Sequence, residues 1–395
     1  MKRSLKPSLW HSILWQSAAL VFALAVHGVA VGATQYVVAN DDQPYPFRAG
    51  VSFYTIGPNG LLASRQEVLT GGNGISGGFF GVNRLGVLNG TSQQCVYASE
   101  AGTGDIAGIA VSSLTLSGST KGSLTDTGTS NGIGLAVNDH YLYASFTDSS
   151  MIGTFQVQPG CSLTFLTDTA VVGLGGGTIN AMSIHGKMLI ATYTDGSIES
   201  FDISNGTPLS HGDKQYSTAT ITSLDATYPN AIDITSDGHF AIFGTTSTSV
   251  VVEVSDISSG KLSKTVVHKS AASISSSNVL LSPDESLLYV TNSQGDSVSV
   301  IFFDKKTGAL SGGCTSKRLR GESANWSYLG GLALVSQTGN GGGVYVAEYG
   351  GLSAVALLNL TSSGGKCSLQ EAPQSPFADP NAGLLSIGNF PPRSF

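Results

Sequence analysis

The stretch Ser277-Asn-Val-Leu-Leu-Ser-Pro-Asp-Glu-Ser-Leu-Leu-Tyr-Val-Thr-Asn292, continued by Asp296-Ser-Val-Ser-Val300 and Asp304-Lys-Lys-Thr-Gly308, decides the fold. It reads as a short strand, a Ser-Pro-Asp turn, a second strand, a tight loop, a third strand and another turn. Its opening phrase has counterparts throughout the chain: Asn83 to Val87, Asn131 to Leu135, Asn180 to Ile184, Asn230 to Ile234, Gly330 to Leu334 and Asn381 to Leu385. The seven starts fall 48, 49, 50, 47, 53 and 51 residues apart. A period near fifty with such regularity marks a repeat architecture.

After each phrase comes a turn and a second strand that ends in a small or polar residue, as in Cys95 to Ser99, Tyr141 to Ser145 and Leu288 to Asn292. A third run follows, such as Ser197 to Phe201, and then a weaker fourth. Four antiparallel strands per repeat make one propeller blade. The last phrase, at Asn381, is followed by too little chain for three more strands, and residues Gln35 to Ala39, Val51 to Thr55 and Leu61 to Val68 supply them. The sequence therefore predicts an all-β, seven-bladed β-propeller over residues 34–395, its ring closed by one C-terminal and three N-terminal strands. Closure of this kind hides the strand edges that an open array leaves exposed.

Composition agrees with one large β domain. Of 395 residues 51 are Gly and only 11% are charged, while 41% are hydrophobic and the mean hydropathy is +0.15, which excludes disorder. Lys2, Arg3 and Lys6 precede an apolar stretch from Leu14 to Gly32, with Val31 and Ala33 placed for cleavage after Ala33. Residues 1–33 thus read as a secretory signal peptide. Its removal takes three basic residues and no acidic ones, leaving a formal charge of −10 on a chain with 26 acidic residues. Such a surface repels nucleic acid and anionic lipid. The expected protein is secreted or extracellular, or periplasmic or cell-surface in a bacterium, with no membrane association after cleavage and a monomeric state.

Four cysteines in an exported chain, Cys95, Cys161, Cys314 and Cys367, imply two disulfides with three connectivities open. Neighbouring blades favour Cys95 with Cys161 and Cys314 with Cys367. Sequons at Asn89, Asn325 and Asn359 are candidate glycosylation sites, and Pro208 makes a fourth, at Asn205, a poor acceptor.

The blade from Leu281 to Asn292 resembles the signature repeat of the lactonase-type seven-bladed propellers, whose repeats carry the Tyr-Val-Thr-Asn phrase found here at Tyr289 to Asn292. That family includes 6-phosphogluconolactonases and carboxymuconate cyclases. The resemblance implies hydrolysis or closure of a small lactone, of sugar-acid or muconate type, at the mouth of the central channel. The chain has no Trp-Asp dipeptide and one mature tryptophan, Trp326, which fits other propeller families poorly. Many phosphogluconolactonases carry His where the innermost strands begin, and this chain has Asn, Ser or Gly, so no catalytic residue transfers by motif.

The residues themselves suggest where chemistry could sit. Asn83, Asn131, Asn180, Asn230 and Asn381 would ring the mouth, as turn residues or as ligand contacts. The same face receives the residues after each second strand: Asp41, Asp42, Glu100, Asp148, Asp195, Asp296 and Glu348. Glu100 and Glu348 are candidates to activate water, with Arg84 a candidate cation beside the first asparagine. Asp148 and Asp195 are candidate ligand contacts. Amide and carboxylate oxygens suit a divalent cation such as calcium, a candidate cofactor without an assigned ligand set. Histidines are scarce near the mouth and no Gly-x-Ser-x-Gly elbow occurs, which disfavours a Ser-His-Asp enzyme. An acidic mouth disfavours phosphorylated substrates. The expected partner is a small neutral or weakly anionic lactone or sugar acid. A non-catalytic propeller that binds an extracellular glycan or protein is the alternative.

Overall fold

The computed structural model describes residues 35–41, 49–74, 84–121, 133–146, 150–217, 229–246, 252–263, 266–270, 276, 278–293, 295–321, 328–349, 353–363, 366–378 and 384–393. They belong to one compact unit, Gln35–Phe395. The signal-peptide reading of residues 1–33 lies outside the described residues.

Seven antiparallel sheets follow one another, each ordered from the centre outward. The innermost strands are Leu85–Asn89, Ile133–Val137, Ile179–His185, Pro229–Ile234, Val279–Leu281, Tyr328–Leu334 and Leu384–Phe390, for blades one to seven. Each lies against the innermost strand of the next blade, and that of blade seven lies against that of blade one. In blade seven, Leu384–Phe390 pairs with Tyr36–Asp41, which pairs with Gly50–Ile56, which pairs with Leu62–Leu69. The predicted seven-bladed ring and its mixed-terminus closure are therefore both present. Blade three departs slightly: its outer edge is two short pieces, Leu209–Ser210 and Gln215–Tyr216, both paired with Ser197–Asp202.

Packing explains the alternation in the sequence. Successive residues of a strand face opposite sides of the sheet, so each blade contributes to two cores, one with each neighbour. Seven such cores are found, including one between blades seven and one that contains Val38, Phe53, Val96, Ala98 and Ile109. Tyrosines of the second strands rivet the blades together. Tyr143 donates its hydroxyl to the Gly206 carbonyl of blade three at 2.8 Å, and Tyr289 to the Asn340 carbonyl of blade six at 2.7 Å. Tyr345 does the same to Gly60 of blade seven. A buried tyrosine needs such a partner, which accounts for the recurrent Leu-Tyr or Val-Tyr of the second strands.

Both expected disulfides form, and each crosses a blade boundary. Cys95–Cys161 joins blade one to blade two, and Cys314–Cys367 joins blade five to blade six. Cys314 and Cys367 sit within the outer strands Ala309–Thr315 and Lys366–Glu371. Asn89 and Asn359 are exposed, whereas Asn325 lies outside the described residues.

Candidate functional site

The mouth is the face at which the innermost strands begin. In blades three and four the register slips by one residue there: Ile179 pairs with Tyr193 and Ala181 with Thr192, while Pro229 pairs with Thr245 and Ala231 with Gly244. Asn180 and Asn230 are the extra residues, so each of these two asparagines marks a β-bulge. A bulge re-aims its side chain out of the regular alternation. The amide N–H beside the bulge is met by a hydroxyl of the second strand, Thr192 to Ala181 at 3.2 Å. Ser145 and Thr291 serve Gly134 at 3.0 Å and Asn278 at 2.7 Å in the same way. These contacts explain the polar residues that end the second strands.

Asn180 and Asn230 are both buried, 5% and 2% exposed. Asn180 Nδ2 donates to the Pro229 carbonyl at 3.1 Å, which brings its amide within one residue of Asn230 on the next blade. Among the described residues the Oδ1 atoms of both have no hydrogen-bond partner. Two buried acceptors thus belong to neighbouring strands at the mouth of blades three and four. Asn83, Asn131, Asn381 and Asp148 lie outside the described residues.

The candidate carboxylates are placed at the ends of the second strands, where the sequence put them, but they are covered. Glycine-bearing linkers from the preceding blade lie over them. A Cβ on Gly72 would stand 2.8 Å from Glu100 Cγ, and one on Gly321 would collide with Glu348 Oε2. Glycine is needed at both positions for that close approach. Asp195 is held by the linker from blade two, accepting from the N–H groups of Gly175 at 2.6 Å and Gly177 at 3.0 Å, and from Ser197 N and Oγ at 2.9 and 2.6 Å. Burial opposes its ionisation, and the hydrogen bonds from Ser197, Gly177 and Gly175 outweigh that, holding the carboxyl below its ordinary value. All four donors belong to the fold, so Asp195 acts as a staple between blades two and three.

Glu100 is fully buried at the boundary of blades seven and one. Burial pushes its carboxyl up to about 8, with the Thr70 hydroxyl acting against the rise and the charges of Asp105 and Asp41 adding to it. The structure therefore brings Glu100 together with Asp41, which is 1% exposed. Glu348, also 1% exposed, lies in blade six, with blade seven between it and Glu100. The two glutamates belong to separate sites. Among the described residues Arg84 is the largest fully buried side chain, set inside the wall at the start of blade one's innermost strand. Its carbonyl accepts from Ser99 N at 3.0 Å and from Asn40 Nδ2 at 3.5 Å, tying blade one to blade seven. Asn40, 1% exposed, was not singled out by the sequence, although it stands beside Asp41 at a strand end. Asp296 is paired with Arg318 at 2.8 Å.

Among the described residues no three His, Cys, Asp or Glu side chains converge as metal ligands.

No protein-family model matches the chain, and no curated protein matches it in sequence. Solved structures do. A Bacteroides fragilis protein provisionally named a 6-phosphogluconolactonase superposes with a TM-score of 0.66, at 15% identity over 91% of this chain and 99% of that one. The chain has the fold of a lactonase-type seven-bladed propeller. A periplasmic gluconolactonase of Pseudomonas aeruginosa matches with a TM-score of 0.54, at 14% identity over 71% of this chain and 81% of that one. A chain of the mitotic checkpoint complex matches this propeller with a TM-score of 0.57, at 12% identity over 79% of this chain and 84% of that one. At such identities the shared property is the fold.

Proposed function

We propose that the protein is an exported lactonase-like propeller that binds and opens small hydroxylated lactones at the channel mouth. The observation that carries this reading is the pair of buried, unpartnered amide oxygens of Asn180 and Asn230. Acceptors of this kind want hydroxyl donors, and a sugar lactone offers several where a muconate offers only carboxylates. A buried acceptor left unmatched costs about 1–3 kcal/mol, which a correctly placed ligand hydroxyl recovers.

Ring opening requires a base for the attacking water. Glu100, with a carboxyl at about 8, is the residue proposed for it; it lies between blades seven and one, across the mouth from Asn180 and Asn230, so the linker that carries Gly72 must leave it for a lactone to reach it. In its ionised form it takes a proton as water oxygen bonds to the lactone carbonyl carbon. It returns that proton to the ring oxygen as the carbon–oxygen bond breaks, giving the open hydroxy acid. Export is proposed on the apolar leader and is supported by the two disulfides.

The test is hydrolysis of a panel of neutral sugar lactones by the mature chain. Asn230→Ala is expected to raise KM about tenfold, and Glu100→Gln to lower kcat at least a hundredfold. Unchanged rates in Glu100→Gln overturn the base assignment. A second reading, a non-catalytic propeller that binds a glycan or protein, is favoured by the linkers that cover Glu100, Asp195 and Glu348. Inertness of the wild type towards every lactone, together with glycan binding unaffected by Asn230→Ala, would select it.

A further inference from the structure

Asp233 lies on the innermost strand of blade four, near the end where that strand turns outward, away from the mouth. Its Oδ1 accepts from Arg393 Nη2 at 2.9 Å and its Oδ2 from Leu281 N of blade five at 2.7 Å. The same Arg393 Nη2 donates to the Ile234 carbonyl at 2.6 Å. Both partners are nearly buried, Asp233 8% and Arg393 9% exposed. Glu285 adds a second negative charge beside Asp233 and is fixed there by Ser236 N at 2.5 Å.

Arg393 follows the last strand of blade seven, Leu384–Phe390, by three residues. The innermost strand of blade seven touches those of blades six and one, and blade four lies on the other side of the ring. Three residues reach at most about 10 Å, and Pro391 and Pro392 keep the first two stiff. The short path between Phe390 and Asp233 is straight over the hole that the seven innermost strands enclose, and the long arginine side chain completes the span.

We propose that Pro391 to Arg393 form a bolt that shuts the channel at the face opposite the mouth, with the carboxylate of Asp233 and the Ile234 carbonyl as its catch. The channel is then a blind cavity entered from one side. The bolt also ties together two blades that are not neighbours in the ring, so it braces the ring across its diameter. This holds whatever ligand the mouth accepts.

Two measurements on the mature chain test the bolt. Digestion with a broad-specificity carboxypeptidase, followed by intact mass, is expected to remove residues 394 and 395 from the wild type and halt at Arg393. In Asp233→Asn the same digestion is expected to remove Arg393 as well. Hydrogen exchange in Arg393→Gln is expected to rise at least tenfold at the amides of Ile234 and Leu281, and to stay unchanged at Ala181 near the mouth. Equal loss of Arg393 from wild type and Asp233→Asn overturns the proposal, and so does unchanged exchange at Ile234 and Leu281. The exchange arm stands alone if Asp233→Asn fails to fold.

Discussion

The side-chain amide of Asn180 donates to the carbonyl of Pro229, one blade onward and one residue short of the next repeated asparagine. The repeat thus uses an asparagine to hold its neighbour's backbone as well as to present an oxygen. Asn180→Ala should therefore cost about 1–2 kcal/mol of stability through the lost inter-blade bond. Asn230→Ala, which removes a buried acceptor without a donor, should cost less. Chemical unfolding of the two variants distinguishes them.

Glu100 gives the protein a pH dependence of known sign. Its carboxyl is raised from 4.5 to about 8 on folding, so the folded state holds a proton that the unfolded chain releases. Stability should fall as pH rises from about 5 to about 8, with a contribution near 1.4 kcal/mol per pH unit, and flatten above. Glu100→Gln keeps the neutral shape and should remove this slope. Unfolding midpoints of wild type and variant, measured from pH 5 to 9, give the comparison directly.

The linker over Glu100 offers a steric test with a built-in control. Gly72→Ala places a methyl 2.8 Å from Glu100 Cγ and from Thr103 Oγ1, and should cost about 1–3 kcal/mol by overpacking. Gly71→Ala meets nothing within 4 Å and carries only the strain of its φ of +85°, about 1 kcal/mol. Gly72→Ala should also shift the pH slope assigned to Glu100, and Gly71→Ala should leave it in place.

The two disulfides should respond to reductant in order of exposure. Cys95 and Cys161 are 0% and 1% exposed, whereas Cys314 and Cys367 are half-buried on the outer strands. Mild reductant followed by alkylation and peptide mapping should modify Cys314 and Cys367 first. Loss of either bridge should cost about 4 kcal/mol, given sequence separations of 66 and 53 residues.

The ring was legible in the sequence because its information is local and copied seven times. Phrases such as Asn180 to Ile184 or Tyr289 to Asn292 carry their own strand alternation and turns. Spacing set the blade count, and the strand pattern showed the one C-terminal and three N-terminal strands that close the ring. The bulges at Asn180 and Asn230 were not legible, since one extra residue in a strand alters pairing without altering hydrophobic pattern. The covering of Glu100 and Glu348 was hidden for a related reason: a glycine in a linker signals a turn, and only the fold shows which carboxylate it lies upon. Asp233 and Arg393 are 160 residues apart. Asp233 is the one acidic residue within the seven repeated phrases, and it meets an arginine in the final residues, a coincidence whose meaning needs the ring.

Closure of blade seven has a consequence for how the chain comes into being. Tyr36–Asp41 is made first, and its partner Leu384–Phe390 emerges some three hundred and fifty residues later. Throughout that interval the edge of Tyr36–Asp41 that Leu384–Phe390 will cover carries unpaired backbone N–H and C=O groups. A chain that stalls before Leu384 leaves the ribosome with that edge open, ready to recruit the same segment from another copy. Completion of the last strand is what turns a string of sheets into a molecule without ends.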